Sequence, residues 1–537
     1  MSRFQSVARA GAIVGAASVA SRLLGFARDI LIAGVLGAGT VADAFLVAFR
    51  IPNVIRRVLG EGGLNAGFVP VYGDVAARKG TEAAREFAGR TIVNAALCLT
   101  AIAGLAEIAA GALVLFVAAG FRDDPGKLAL AIDYTRLTLP FVALTGLASL
   151  LAALLNAERR FVAAAVAPAL VNGVLIVALL LLHGRAEDDP ATGIWLALAI
   201  SFSGLLHLVI VGWAAARMPH RPHLQMPRFD ADSRRLARFA VPALLASGMT
   251  QIILLATMAL ASDQPSAVSW LYYADRVFQL PLSFIGVAAG VVLLPEFVDS
   301  QRDGASALAP ALTRYLTGAL ALALPATAGL IALGPSIVTV LFERGAFGPA
   351  DSRETALLLV ALATGLPAAC ASKILIQPFF ARRTVWPPLV AGLAGMLVTL
   401  ACGHALPRLM TDAAGWRFWA PATSASFSAV GLAASLGLWT QMLVLVIFAR
   451  AEIVWNAASA SRLARLGLAA AVMGLIVAAL DGVAAPWLGA EWPLAVRGGI
   501  LAALCGGGML VYLLALRLSG VLDALPIGRA RLSDSDK

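Results

Sequence analysis

Residues 11–37 read GAIVGAASVASRLLGFARDILIAGVLG, and this stretch decides the fold. Its apolar run is longer than the roughly 20 residues a helix needs to cross a bilayer. Yet Arg22, Arg28 and Asp29 stand inside it. The next run carries Asp43, Arg50, Arg56 and Arg57, and a run in the second half carries Asp275 and Arg276. Charges at that depth are expensive unless a watery cavity or a partner meets them. A chain that keeps so many of them is built to handle an anion inside the membrane.

The rest of the chain fits the same picture. It is 60% hydrophobic and 13% charged, with a mean hydropathy of +0.85. Apolar runs of spanning length recur throughout. In lipid the backbone must satisfy its own hydrogen bonds, which selects helices over open sheets. The runs are continuous rather than alternating, which argues against a membrane barrel. The N-terminal run continues past Ser21 and many others follow, so it reads as a first helix rather than a cleaved signal peptide. Cys98, Cys370, Cys402 and Cys505 lie in or beside apolar runs without metal-type spacing, and read as isolated thiols. The formal net charge of +10 belongs to basic loops of a multi-spanning protein. No nucleic-acid partner is expected.

Fourteen candidate spans centre near residues 23, 57, 105, 142, 172, 204, 248, 282, 320, 366, 395, 437, 474 and 506. One set of alternating loops and the two ends hold 25 of the 41 Lys and Arg residues. The other set holds 8, and the remaining 8 fall inside spans. Basic residues mark cytoplasmic loops, so both termini are expected in the cytoplasm. The chain also repeats itself. RAGAIVGAASVASR from Arg9 resembles RRLARFAVPALLASG from Arg234, and FVPVYGDVAARKG from Phe68 resembles LLPEFVDSQRDG from Leu293. FRDDPGK from Phe121 resembles FERGAFGPADS from Phe342, and the turn at Pro140 resembles that at Pro367. The period of about 225 residues covers six spans, so both copies keep one orientation. The expected fold is an all-α polytopic membrane protein with 14 transmembrane helices. Two six-helix lobes (1–220 and 221–452), related by a pseudo-two-fold along the membrane normal, meet at a site, and 453–537 adds two helices and a tail.

Helical periodicity sorts the charges. Asp43, Arg50, Arg57 and Glu61 share one stripe, with Arg56 about 100° away. Ser18, Arg22, Gly25 and Asp29 form another, and Tyr272, Arg276, Gln279 and Ser283 a third. One reading has these charges pair off to lock helices together, as Asp29 with Arg28, Asp43 with an arginine, and Asp275 with Arg276. The count favours another. Six arginines (22, 28, 50, 56, 57 and 276) face four acids (29, 43, 61 and 275). The planar fork of arginine suits bidentate contact with phosphate, so a phosphate-bearing ligand is the natural partner. Glu107 and Lys373 are isolated intramembrane groups. His183 and His207 show no ligand spacing, and the glycine-rich stretches at 34–40 and 60–67 lack a nucleotide-binding lysine.

Five stretches carry a resemblance: SRLLGFARD (21–29), ADAFLVAFRIPNVIRRVLGEGGLNAGFVPVY (42–72), LLNAERRFVAAAVAPALVN (154–172), SWLYYADRVFQLPLSFIGVAAGVVLLP (269–295) and LFERGAF (341–347). They resemble the bacterial lipid II flippase MurJ (MviN) family, within the multidrug/oligosaccharidyl-lipid/polysaccharide exporter superfamily. The resemblance implies a transporter, not an enzyme. It would carry the undecaprenyl-pyrophosphate-linked peptidoglycan precursor, lipid II, from the inner to the outer leaflet of the cytoplasmic membrane by alternating access, for cell wall synthesis. It further implies that Arg22, Arg28, Arg56 and Arg276 line a cationic cavity, and that Asp29, Asp43, Arg57 and Glu61 belong to the substrate site. The last two spans would cradle the lipid tail. Lipid II, membrane lipids and the wall-synthesis machinery are the expected partners, around a monomer. No cofactor and no metal is expected: some relatives bind sodium through carboxylates and amides, but TQIILLATMALAS (250–262) has no acid or Asn, and Arg382-Arg383-Thr384 follows PFFA. Coupling is left to the membrane potential or to protons. The rivals are a related oligosaccharide-lipid or multidrug exporter, a polyprenyl-phosphate enzyme, and a non-transporting scaffold that would tolerate neutral residues in place of the arginines.

Overall fold

Long apolar runs become long helices in a computed structural model of the chain. It describes residues 3–58, 64–186, 188–288, 305–382, 384–412, 422–453 and 456–521. The helices are α1 (Arg3–Leu36), α2 (Thr40–Val58), α3 (Leu64–Ile108), α4 (Ala110–Val117), α5 (Pro125–Thr138), α6 (Pro140–Ala157), α7 (Phe161–Leu181), α8 (Pro190–Ala216) and α9 (Ala231–Ala261). They continue with α10 (Ala267–Ala288), α11 (Ala305–Phe342), α12 (Pro349–Ala363), α13 (Leu366–Leu375), α14 (Gln377–Ala381), α15 (Trp386–Asp412), α16 (Ala422–Phe448), α17 (Ala457–Ala484) and α18 (Leu494–Leu518). Among the described residues, nine helices are long and apolar enough to cross a membrane, or ten if the bent pair at 349–380 is one span. Helices α1, α2, α9 and α10 also cover or flank the sequence centres near 23, 57, 248 and 282, and α1, α2 and α10 carry the six arginines set against the four acids.

The chain divides into two compact units. The first holds residues 1–251, 261–269 and 345–347; the second holds 252–260, 270–344 and 348–537. In the first, α1 packs on α7, α2 on α5, and α6 on both α3 and α8. Its core joins Phe68, Tyr72 and Phe87 of α3 to Leu150 and Leu154 of α6, with the Phe68 ring 5.6 Å from Tyr72 and 5.8 Å from Phe87. In the second, α15 pairs with α16, and α11 packs on α12, α17 and α18. There the Tyr512 hydroxyl donates to the Ala321 carbonyl at 2.8 Å, and Ser336 Oγ donates to Asp481 Oδ1 at 2.6 Å.

Three local features differ from the sequence reading. The second span centres earlier than residue 57, because α2 starts at Thr40 and runs through Pro52. The basic residues Arg78 to Arg90, read as loop, lie on α3, which is interrupted only at Gly80 (φ 87°); Ala, Glu and Arg keep the flanking turns helical. The tenth span bends by 46° after Ala363, where Pro367 has no N–H to give the preceding turn. In the glycine-rich stretch at 34–40, a turn after Leu36 joins α1 to α2. Gly37 adopts φ +62°, and a Cβ there would lie 2.3 Å from the Ala346 carbonyl oxygen, so only glycine fits.

Candidate functional site

Within the first unit, α1, α2, α6, α7 and α8 enclose a cavity of about 290 Å³. Arg28, Asn53, Arg56, Thr145, Asn172 and His207 are on its wall. Two prolines shape it. Pro168 denies the Ala164 carbonyl its helical donor, and both residues line the space. Pro52 does the same to the Ala48 carbonyl, which instead accepts from Thr138 Oγ1 at 3.1 Å.

Arg28 is buried and held on two sides. Its Nε and Nη2 donate to Asp29 Oδ1 at 3.0 and 2.7 Å. Its Nη1 donates to Asn172 Oδ1 at 2.7 Å. The Phe49 ring centre lies 5.0 Å from the guanidinium carbon. Asn172 in turn donates from Nδ2 to the Ser21 carbonyl at 3.0 Å, tying α7 to α1. A guanidinium has five N–H bonds; these contacts use three, and one remains on each Nη. Arg56 is half-buried, with Nε and Nη2 donating to Asn53 Oδ1 at 3.3 and 2.9 Å. Across the cavity, Thr145 Oγ1 lies 3.3 Å from His207 Nδ1.

The other sequence-predicted residues are placed differently. Asp43 is fully buried and does not line the cavity. Its Oδ2 accepts from Lys127 Nζ at 2.9 Å and Ser266 N at 3.0 Å, and its Oδ1 accepts from Ser269 N at 2.9 Å and Ser269 Oγ at 2.6 Å. Its cationic partner is therefore a lysine, where pairing predicted an arginine. Arg22 is exposed on α1. Arg276 belongs to the second unit, its guanidinium carbon 4.4 Å from the Tyr272 ring centre. Asp275 there accepts from Gln279 Nε2 at 2.5 Å. Glu61 and the Arg57 side chain lie outside the described residues. Arg382 pairs with Glu452.

Sequence reasoning passed over Asn172, Thr145 and Lys127 and set His207 aside. Asn172 had a usable signal: a lone amide in an apolar helix, four residues after a proline.

The profile of the family described as "Lipid II flippase MurJ" matches residues 32–495. The "Probable lipid II flippase MurJ" of Rhizobium tropici is 33% identical over 520 residues, covering 96% of this chain and 95% of that protein. The protein of the same description from Rhizobium meliloti (strain 1021) is 34% identical over 518 residues, covering 94% and 93%. Among solved structures, "Lipid II flippase MurJ, inward closed conformation" aligns with a TM-score of 0.74 at 20% identity over 94% of this chain and 98% of that one. An inward-facing MATE family transporter of the MOP superfamily aligns with a TM-score of 0.63 at 14% identity, over 83% and 95%. At those identities the two structures speak for the fold alone.

Proposed function

The chain belongs to the lipid II flippase MurJ family, and on that premise we propose how its charged residues share the work. Its substrate is lipid II, which it flips across the membrane; it is a transporter and not a catalyst. The diphosphate of the head group enters the cavity of the first unit and meets the remaining N–H bonds of Arg28 and the face of Arg56. Asp29 and Asn172 hold the Arg28 fork in place. Arg22, Arg57 and Arg276 add positive charge along the path of the head group. Asp43 and Glu61 orient the helices that carry these arginines. The polyprenyl tail stays in lipid.

The observation that carries this reading is Arg28: buried, paired on one edge, and open to a cavity on the other. Moderate attraction suits a carrier, because the anion must also leave. The finer topology rests on the sequence. The repeat of about 225 residues and the 25-to-8 division of loop charge support 14 spans as repeats 1–220 and 221–452 plus 453–537. They also support both termini in the cytoplasm of a bacterium, with the chain in its inner membrane and acting as a monomer.

Complementation tests the reading. In cells depleted of their own flippase, Arg28→Ala, Arg56→Ala or Arg276→Ala is expected to stop growth at normal protein level, with lipid II accumulating in the inner leaflet. Normal growth of all three would overturn the assignment.

A further inference from the structure

Two arginines outside the proposed head-group path come together where α11 ends and α18 begins. Arg344 stands two residues beyond α11, and Arg497 lies in the first turn of α18. Both belong to the second unit, in which α11 packs against α17 and α18. Arg497 is 7% exposed. Its Nε and Nη1 are sealed from solvent and meet no acceptor among the described residues. The Arg344 Nε is sealed and unmet in the same way, while its Nη2 donates to the Val340 carbonyl at 2.6 Å.

No carboxylate among the described residues forms an ion pair with either guanidinium. They act on each other instead. Burial, and after it the positive charge of Arg497, holds the Arg344 guanidinium below its ordinary value. Arg344 is half-buried and Arg497 buried, and like charges brought together with sealed, bare donors are unfavourable unless an anion completes them. The position says which anion. Trp487 and Trp492, in the turn between α17 and α18, are 45% and 41% exposed, and the Trp492 indole donates to the Pro486 carbonyl at 3.1 Å. Exposed tryptophans at the ends of apolar spans mark the membrane–water boundary, the depth of lipid phosphates. The N-terminus of α18 adds the positive end of a helix dipole.

We propose that Arg344 and Arg497 form a binding site for one phosphate group at the membrane boundary, carried by an anionic lipid. The two forks grip the phosphate oxygens from α11 and α18 and so fasten the last helix of the chain to the bundle. The site shares no residue with the cavity of the first unit or with the arginines assigned to the head group.

Native mass spectrometry of the purified full chain in detergent tests it. Titrated with phosphatidylglycerol, the wild-type chain is expected to keep one tightly held lipid. Arg344→Gln and Arg497→Gln should each weaken that binding by about tenfold or more, as loss of a charge-assisted contact does. Arg497→Lys should fall between, and Arg185→Gln, an exposed control, should match wild type. A second arm adds inorganic phosphate. If it leaves the lipid in place, the ligand is lipid-borne; if it displaces the lipid, the same site takes free phosphate. Without lipid, the double variant should melt at or above the wild-type temperature, because repulsion is relieved. Unchanged lipid count and affinity in the double variant, or a wild-type chain that holds neither lipid nor phosphate, overturns the site.

Discussion

Asn172 joins two helices through one amide, accepting from Arg28 and donating to the Ser21 carbonyl. Leucine has the same branched side-chain shape, with bulkier methyl ends, and removes both bonds. A hydrogen bond to a charged group contributes about 1.5–3 kcal/mol, so Asn172→Leu is expected to lower flipping by about ten- to a hundredfold while the chain still accumulates. Asn172→Asp separates position from charge. It keeps the Arg28 contact, loses the donor to the Ser21 carbonyl and gives Arg28 a second carboxylate, so it should flip worse than the leucine variant yet melt higher. Inner-leaflet lipid II and melting temperature, measured on both variants, check the order. Asp43 poses a different problem. Asp43→Ala leaves the buried Lys127 ammonium without its carboxylate, a change that costs about 3–5 kcal/mol. Pairing Asp43→Asn with Lys127→Met removes both charges and should recover most of the melting temperature. These two sites also differ in what the sequence displays. Arg28 and Asp29 are neighbours in the chain, so their pairing is legible from it. Asp43 and Lys127 are 84 positions apart, and Lys127 reads as one more loop charge until the fold brings α5 beside α2.

The helices themselves are legible because a run of apolar residues in lipid has few alternatives. Their breaks are less so. Gly80 and Gly365 look like any other glycine in an apolar or Ala-rich run; only the fold shows that Gly80 turns with φ 87° in open space and that Gly365 lies against Ser435. The segment joining α8 to α9 makes the point testable. It lies along α3 through Arg85 Nε donating to the Arg221 carbonyl at 3.0 Å and Asn94 Nδ2 to the Arg228 carbonyl at 2.9 Å. A Cβ on Gly89 would stand 1.7 Å from the His223 carbonyl oxygen, so Gly89→Ala should lift this strap at neutral pH. Asp230 fastens its far end, pairing with Arg90 and accepting from Ser233 N at 2.8 Å. Burial works to raise its carboxyl; the Ser233 hydrogen bonds, with Arg90 and Lys79, outweigh it and hold the group below its ordinary value. A lowered folded value means the contribution is complete above the unfolded value of about 3.9 and lost as pH falls through the folded one. Relative to its intrinsic rate at each pH, hydrogen exchange of the 217–231 peptide should therefore speed up in the wild-type chain only below about pH 4. Gly89→Ala should show fast exchange at every pH, and Asp230→Asn should show no step.

At the scale of the molecule, an excess of arginine over acid is what composition can reveal, and it points to an anion. The walls that make the excess usable are hidden from sequence: Thr145, Asn172 and His207 are single polar residues in apolar runs, ordinary until five helices close around them. The same excess raises the question of release, since a diphosphate held by buried guanidinium groups leaves slowly. The membrane potential offers the drive. The cytoplasmic side is negative, and each negative charge carried outward gains about 2.3 kcal/mol per 100 mV. A diphosphate carries more than one such charge, so the outward step of this flippase should depend steeply on voltage. Collapsing the potential with valinomycin and potassium, at a fixed pH gradient, should raise inner-leaflet lipid II toward the level of flippase-depleted cells. Collapsing the pH gradient alone should leave it near normal. The reverse pattern would mean that protons move with the head group and cancel its charge, and the arginine cavity would then need a proton-carrying partner among the groups that line it.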